Sequence, residues 1–107
     1  MANFLNLIEE KGNVYEGDVL EIPFVYEGEL SIKKVESSCG CTTPSFDPDN
    51  KRVIAKYVAP GLGFHPQTGK KIDSQSTWKS ITIEEQNLAV HVLKFHTTII
   101  PKQKRPS

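Results

Sequence analysis

Residues 88–100 read LAVHVLKFHTTII, and their pattern is the strongest indication of the fold class. Two interleaved sets of side chains make it up. Val90, Val92, Lys94 and His96 form one set, and Ala89, His91, Leu93, Phe95 and Thr97 form the other. Successive side chains of a β-strand point to opposite faces, so this period of two predicts a long strand rather than a helix.

The same alternation recurs in shorter runs on both sides of the cysteine-containing segment. The runs are 19–26, 30–35, 53–58 and 78–83, and β-branched and aromatic residues fill them. Pro23 cannot donate to a strand ladder, so its strand is predicted to lie at a sheet edge, or Pro23 to face outward. Six or seven short strands separated by Gly, Pro, Asp and Asn turns predict an all-β fold, an antiparallel β-sandwich of about seven strands.

The chain length predicts one domain with three parts. At 107 residues the chain is near the usual domain size. We predict an N-terminal arm over residues 1–12, a sandwich over 13–100 with a long loop over 60–77, and a basic tail over 101–107. Within the arm, Asn6–Gly12 fits either one helical turn closed by Gly12 or a short extended segment.

Charge and hydropathy disfavour two classes of partner. Thirteen basic residues balance thirteen acidic ones, whereas a domain that binds nucleic acid is usually basic. No apolar run approaches the roughly 20 residues that span a bilayer. The first residues lack the basic start and long apolar stretch of a signal peptide, so we expect a protein made in the cytoplasm without export.

Both cysteines lie in the stretch Ser38–Pro44, which reads SCGCTTP. Cys39 and Cys41 fit four interpretations: a metal half-site, a redox pair, a disulfide in a very small ring, or two small apolar side chains at a corner where Gly40 lets the chain bend. We favour the last, because structural zinc needs four ligands and His91 and His96 face opposite sides of their strand. No cofactor is predicted.

No enzyme is predicted either. A nucleophile needs a positioned base and a third group that orients the base. None of the three histidines, His65, His91 and His96, has an evident partner in the sequence. Trp78 opens a predicted strand, and we favour a core position for it over an exposed contact position.

The run Lys34–Pro44 resembles the signature of a bacterial family of domains of unknown function that shares an SCGCT.P core. Val14–Asp18 and Lys79–Ile83 resemble two strands of the same family. That family is similar to the ASH and major-sperm-protein group, so the resemblance implies an immunoglobulin-like sandwich. Two departures are the segment Tyr26–Glu29, where the family has an Asn-x-Gly turn, and the insertion 60–77.

We therefore predict a structural or interaction module, with an accessory virion protein of a tailed phage as the specific hypothesis. This rests on analogy of fold. Its partners would be other proteins of a larger assembly, or further copies of the chain. An adaptor that binds a small ligand or metal through the corner Cys39–Cys41 is the alternative. The candidate contact residues are Phe4, Leu5, Leu7, Ile8, Leu62, Phe64, His65, Lys102, Lys104 and Arg105.

Overall fold

The computed structural model describes residues 2–102, which form eight β-strands and a 3-10 turn between the fifth and the sixth. The strands are β1 (Asn3–Phe4), β2 (Ile8–Tyr15), β3 (Val19–Glu27), β4 (Ile32–Ser37), β5 (Thr42–Asp47), β6 (Arg52–Val58), β7 (Gln75–Glu85) and β8 (Val90–Ile100), with the 3-10 turn at Pro48–Asn50. The prediction of an all-β fold is confirmed.

The strands form two sheets of four, in the orders β1-β3-β6-β5 and β2-β8-β7-β4. Every pairing is antiparallel except that of β2 with β8, which is parallel. The prediction of a wholly antiparallel fold is therefore wrong at this edge. The reason is that the chain passes from the first sheet to the second between β1 and β2, and then joins β8 running in the same direction.

The two sheets share one hydrophobic core in a sandwich-like arrangement. Alternate residues of β3 and β8 point into it, as the period of two predicts. The buried apolar residues on these two strands are Ile22, Phe24, Tyr26, Leu93, Phe95 and Ile99. Tyr57 of β6 packs edge-on against Phe95 of β8, with the ring centroids 5.4 Å apart, so the core joins the sheets directly.

The N-terminal segment belongs to the core, so the predicted boundary at residue 12 is wrong. Phe4 is only 7% exposed and its ring lies 5.4 Å from that of Tyr26 and 5.0 Å from that of His91. Strand β2 begins at Ile8, and its register with β8 shifts between Glu10 and Asn13. The positive φ of +67° at Gly12 is a conformation that glycine adopts without steric cost, which accommodates this irregularity.

The long connection before β7 is folded onto the sandwich, and β7 begins at Gln75, inside the loop predicted over 60–77. Leu62 is 6% exposed and belongs to the core, and Ile72 packs against the core. Glu16 holds the connection in place: its carboxylate accepts hydrogen bonds from the Leu62 N–H at 2.6 Å and from Lys71 Nζ at 3.0 Å. The bond from Leu62 is the main cause that lowers the pKa of Glu16.

After β8 the described chain ends close to the same carboxylate. Pro101 is buried, and the N–H of Lys102 donates to Glu16 at 3.2 Å. The tail positions Lys104 and Arg105 lie outside the described residues. None of the described residues, 2–102, belongs to a helix that could span a bilayer.

Candidate functional site

The outer face of the sheet β2-β8-β7-β4 carries a groove of about 300 Å³, which we call the outer groove. It is lined by Ile8, Trp78, Lys79, Ser80 and Lys94. The strand register brings these residues together, because Lys94 of β8 lies opposite Ile8 on one side and Ser80 on the other. The outer groove therefore rests on three paired strands and not on loops.

Trp78 is 58% exposed, so the favoured interpretation of this residue as a core aromatic is wrong. Ile81 and Ile83 point into the core from β7. Trp78 lies three residues before Ile81, which places it on the opposite face of the strand. The signal was present in the sequence, since Ile81 and Ile83 already marked the inner face.

A second, smaller groove of about 120 Å³ lies on the same face, nearer β4. It is lined by Lys34, Glu36, Thr82, Glu84 and Val90. Lys34 Nζ lies 2.9 Å from Glu36 Oε1, and this hydrogen bond is the main cause that raises the pKa of Lys34. The outer face thus combines exposed apolar side chains at one end with mixed charges at the other.

Next to the outer groove, three side chains from three strands form a hydrogen-bonded relay, which we call the serine relay. Ser76 Oγ of β7 lies 2.5 Å from His96 Nε2 of β8, and His96 Nδ1 lies 2.6 Å from Glu10 Oε2 of β2. Glu10 Oε1 accepts the N–H of Gly12 at 3.1 Å, the main cause that lowers the pKa of Glu10. The ring of Trp78 lies 5.0 Å from that of His96.

A second histidine is paired inside the protein. Glu85 is fully buried, and its carboxylate lies 2.7 Å from His91 Nε2. It also accepts the N–H of Ser31 at 3.2 Å and that of Ala2 at 3.4 Å. Burial alone raises the pKa of Glu85, but these hydrogen bonds outweigh burial and lower the pKa overall. The expectation that no histidine has a partner is therefore wrong for both His91 and His96.

The predicted contact residues divide between core and surface. Phe4 and Leu62 are buried, so the expectation that they form exposed contact sites is wrong. The other described candidates are exposed, namely Leu5, Leu7, Ile8, Phe64, His65 and Lys102. Of these, the structure brings Ile8 to the outer groove. Phe64 and His65 lie in the connection before β7, where Phe64 forms an isolated bridge with Lys71.

The cysteine corner contains a disulfide between Cys39 and Cys41, so the interpretation of both as free apolar thiols is wrong. Their Cα atoms are 5.4 Å apart, which is within the range that a disulfide bridges. A disulfide removes the two thiolates that a metal half-site requires. Within residues 2–102 there is no group of three or more residues suited to hold a metal ion.

We expect reduction of this disulfide to lower the free energy of unfolding only modestly, by about 2 kcal/mol or less, because the bond closes a loop of a few residues. Denaturant unfolding with and without dithiothreitol measures this difference. Intact-mass analysis after maleimide treatment is the companion test: the untreated protein should take up no label, and the reduced protein two. Two labels without reductant would contradict the disulfide.

No family model and no curated protein matches the chain. Among solved structures, the chain is similar to part of the 2,6-sialyltransferase of Vibrionaceae Photobacterium sp. JT-ISH-224, which was crystallised with the donor product CMP and the acceptor substrate lactose. The TM-score is 0.52 at 10% sequence identity. The match covers 91% of this chain but only 18% of the sialyltransferase chain. At this identity the likeness shows the fold alone.

Proposed function

We propose that the chain is an immunoglobulin-like module. The strand order supports this proposal. In immunoglobulin domains, strands A, B, E and D form one sheet and C, F and G the other. If β1, β3, β6 and β5 are assigned to A, B, E and D, then β4, β7 and β8 take the places of C, F and G, and the observed orders follow. Strand β2 then extends the second sheet beside its last strand.

The function of this module, in our proposal, is to bind another protein of a larger assembly through the outer groove. The observation that carries the proposal is the exposure of Ile8 and Trp78, at 63% and 58%, on regular paired strands. Large apolar side chains that are exposed and lie outside the core are typical of contact surfaces, and tryptophan is enriched at the centres of such surfaces.

Charge indicates the chemistry of the protein partner. Of the described residues that line the outer groove, Lys79 and Lys94 are charged and both are positive. The side chain of Lys94 lies on the outer face, whereas Lys79 lies opposite the buried Phe95. A partner segment that presents an apolar side chain flanked by Asp or Glu would match this pattern. The role of the outer groove in this proposal is to hold a protein partner in place. A tailed-phage particle, in which the chain would be an accessory protein, is the assembly that we propose for it.

Site-specific photo-crosslinking tests this proposal. A benzophenone amino acid is introduced at Ser80, which lines the outer groove, in cells that carry the native gene and its neighbours. The control position is Val19, an exposed residue on the outer face of the other sheet. We expect a discrete crosslinked band from position 80 and not from position 19, with a particle protein identified by mass spectrometry.

Replacement of Trp78 by alanine in the crosslinking variant should remove most of that band, because truncating a central aromatic residue typically costs more than about 1 kcal/mol of binding, roughly a fivefold loss of affinity or more. A crosslink to a second copy of the chain would show a homo-oligomer in place of a distinct partner. Crosslinks of equal strength from positions 80 and 19, or none from either, would contradict the assignment of the contact surface.

A further inference from the structure

We propose that Ser76 is an activated nucleophile that reacts with carboxylic esters, with His96 as its base and Glu10 as the group that orients the base. This activity goes beyond the proposed binding function and does not depend on it. The three residues satisfy the geometric requirement for covalent catalysis, which is a nucleophile within hydrogen-bond reach of a base that a third group holds.

The protonation state of Glu10 determines which atoms donate the hydrogen bonds of the serine relay. Its lowered pKa keeps the carboxylate ionised at neutral pH, and an ionised carboxylate only accepts hydrogen bonds. His96 Nδ1 must then carry the proton that is donated to Glu10. In the neutral ring Nε2 is left as the acceptor, so the hydroxyl of Ser76 donates to it. This is the tautomer in which the histidine can take the proton of the serine.

The relay is held by regular structure. Glu10 lies opposite His96 in the β2–β8 ladder, and Ser76 lies diagonally across from His96 in the β7–β8 ladder. The side chain of His96 is only 19% accessible, and the Trp78 ring contacts the imidazole. The outer groove begins at the same indole, so an apolar acyl group could lie there while its carbonyl carbon meets Ser76.

A hydrogen-bond donor for the developing oxyanion is present in the backbone of β7. The N–H of Ser80 points to the β4 side, where it donates to Ser38 Oγ at 3.0 Å. Alternate residues of a strand point the same way, so the N–H of Ser76 points to that side too. Strand β4 ends at Ser37, opposite Ile81, and does not reach Ser76. The N–H of Ser76 is therefore placed to receive the oxyanion.

The reaction balances with an ester as the only other reactant besides water. Ser76 Oγ forms a bond to the carbonyl carbon as its proton moves to His96 Nε2. The bond from that carbon to the alcohol oxygen breaks, and His96 returns the proton to the departing alcohol. Water, deprotonated by the same histidine, then attacks the acyl-serine, releases the acid and restores Ser76.

The test uses a fluorophosphonate probe, which phosphonylates activated serines with loss of fluoride, and p-nitrophenyl acetate as the ester. Peptide mapping of the labelled full-length chain locates the probe. We expect the label on Ser76 and none on Ser76→Ala. The matched control is Ser45→Ala, because Ser45 is an exposed serine on β5 of the other sheet and lies outside the outer groove and the serine relay. That variant should be labelled like the unaltered chain.

His96→Gln and Glu10→Gln should slow both labelling and ester hydrolysis by at least about tenfold, since general-base catalysis typically contributes 10²–10⁴-fold. Circular dichroism checks that each variant is folded. The mapping on the unaltered chain does not depend on any variant being folded. The proposal would be overturned by label on Ser80, by label spread over several serines, or by no label at all. Full reactivity of folded His96→Gln would also overturn the proposal.

Discussion

Replacing Phe4 with alanine should lower the free energy of unfolding by about 3 kcal/mol, at the low end of the range for truncating a buried aromatic residue. Phe4 lies in the core between the rings of Tyr26 and His91 and thereby joins the two sheets at one end. Urea unfolding followed by far-ultraviolet circular dichroism measures the change, because the signal of the β-sheets reports on the whole fold.

The adjacent residue provides the matched control. Leu5 follows Phe4 in the chain but is 58% exposed, so Leu5→Ala should change the free energy of unfolding by no more than about 0.5 kcal/mol. Deletion of residues 1–12 should have a larger effect than Phe4→Ala, because it also removes the parallel pairing of Ile8–Glu10 with β8. A truncated protein with unchanged stability would mean that the segment is an arm after all.

The sequence alone was enough to predict the parts of the fold that depend on local alternation of apolar and polar residues. The period of two placed the faces of β3 and β8 correctly. Separately, the missing N–H of proline predicted that β3 lies at a sheet edge or that Pro23 faces outward. Pro23 is exposed, and its carbonyl accepts a hydrogen bond from the side chain of Asn6 at 3.1 Å. The prediction for Trp78 is wrong although the sequence contained the evidence against it. The general tendency of tryptophan to be buried was given more weight than the alternation on β7, which puts Trp78 on the outer face.

The N-terminal segment could not be predicted in the same way. Strand β1 has two residues, and β2 contains Glu9, Glu10 and Lys11 with an irregularity at Gly12, so neither shows a clear alternation. Their positions depend on pairing with strands far along the chain. Parallel pairing with β8 is what brings Glu10 to His96, 86 residues away. No local pattern encodes such a contact, and the serine relay was missed for this reason.

The cysteine corner was misjudged for a different reason. The sequence shows only that a bond between Cys39 and Cys41 closes a very small ring, whereas the turn between β4 and β5 sets the separation of the two residues. Ser37 Oγ donates to the carbonyl of Cys39, and the N–H of Thr42 donates to the same carbonyl at 3.3 Å. These contacts hold a tight turn around Gly40, and a tight turn brings the two cysteines together. Residue spacing alone does not show this.

Replacing Glu85 with alanine should lower the free energy of unfolding by about 3 kcal/mol or more, because removing a buried carboxylate leaves several hydrogen-bonding groups without partners, at about 1–3 kcal/mol for each buried group. His91 would lose its carboxylate, and the N–H groups of Ser31 and Ala2 would lose their acceptor. These groups come from the β7–β8 hairpin, the turn before β4 and the N-terminus, so one carboxylate ties three segments together.

The matched control is Glu84→Ala, because Glu84 lies on the outer face and its nearest cation, Lys33, is 3.9 Å away. That variant should change stability by no more than about 1 kcal/mol.

The same carboxylate should make the protein sensitive to acid. The folded state lowers the pKa of Glu85 below its ordinary value, so the unfolded chain binds the proton more readily. The stabilisation is therefore present in full above the ordinary carboxyl pKa and is lost as the pH falls through the lowered value.

Unfolding measured at steps from pH 7 to about pH 3 should show stability that declines in acid, since ordinary carboxyl groups titrate within that range. In Glu85→Ala the decline should be shallower, because the contribution of this carboxylate is already absent at neutral pH. Parallel curves for the variant and the unaltered chain would mean that other carboxylates, such as Glu16 and Asp47, account for the acid response.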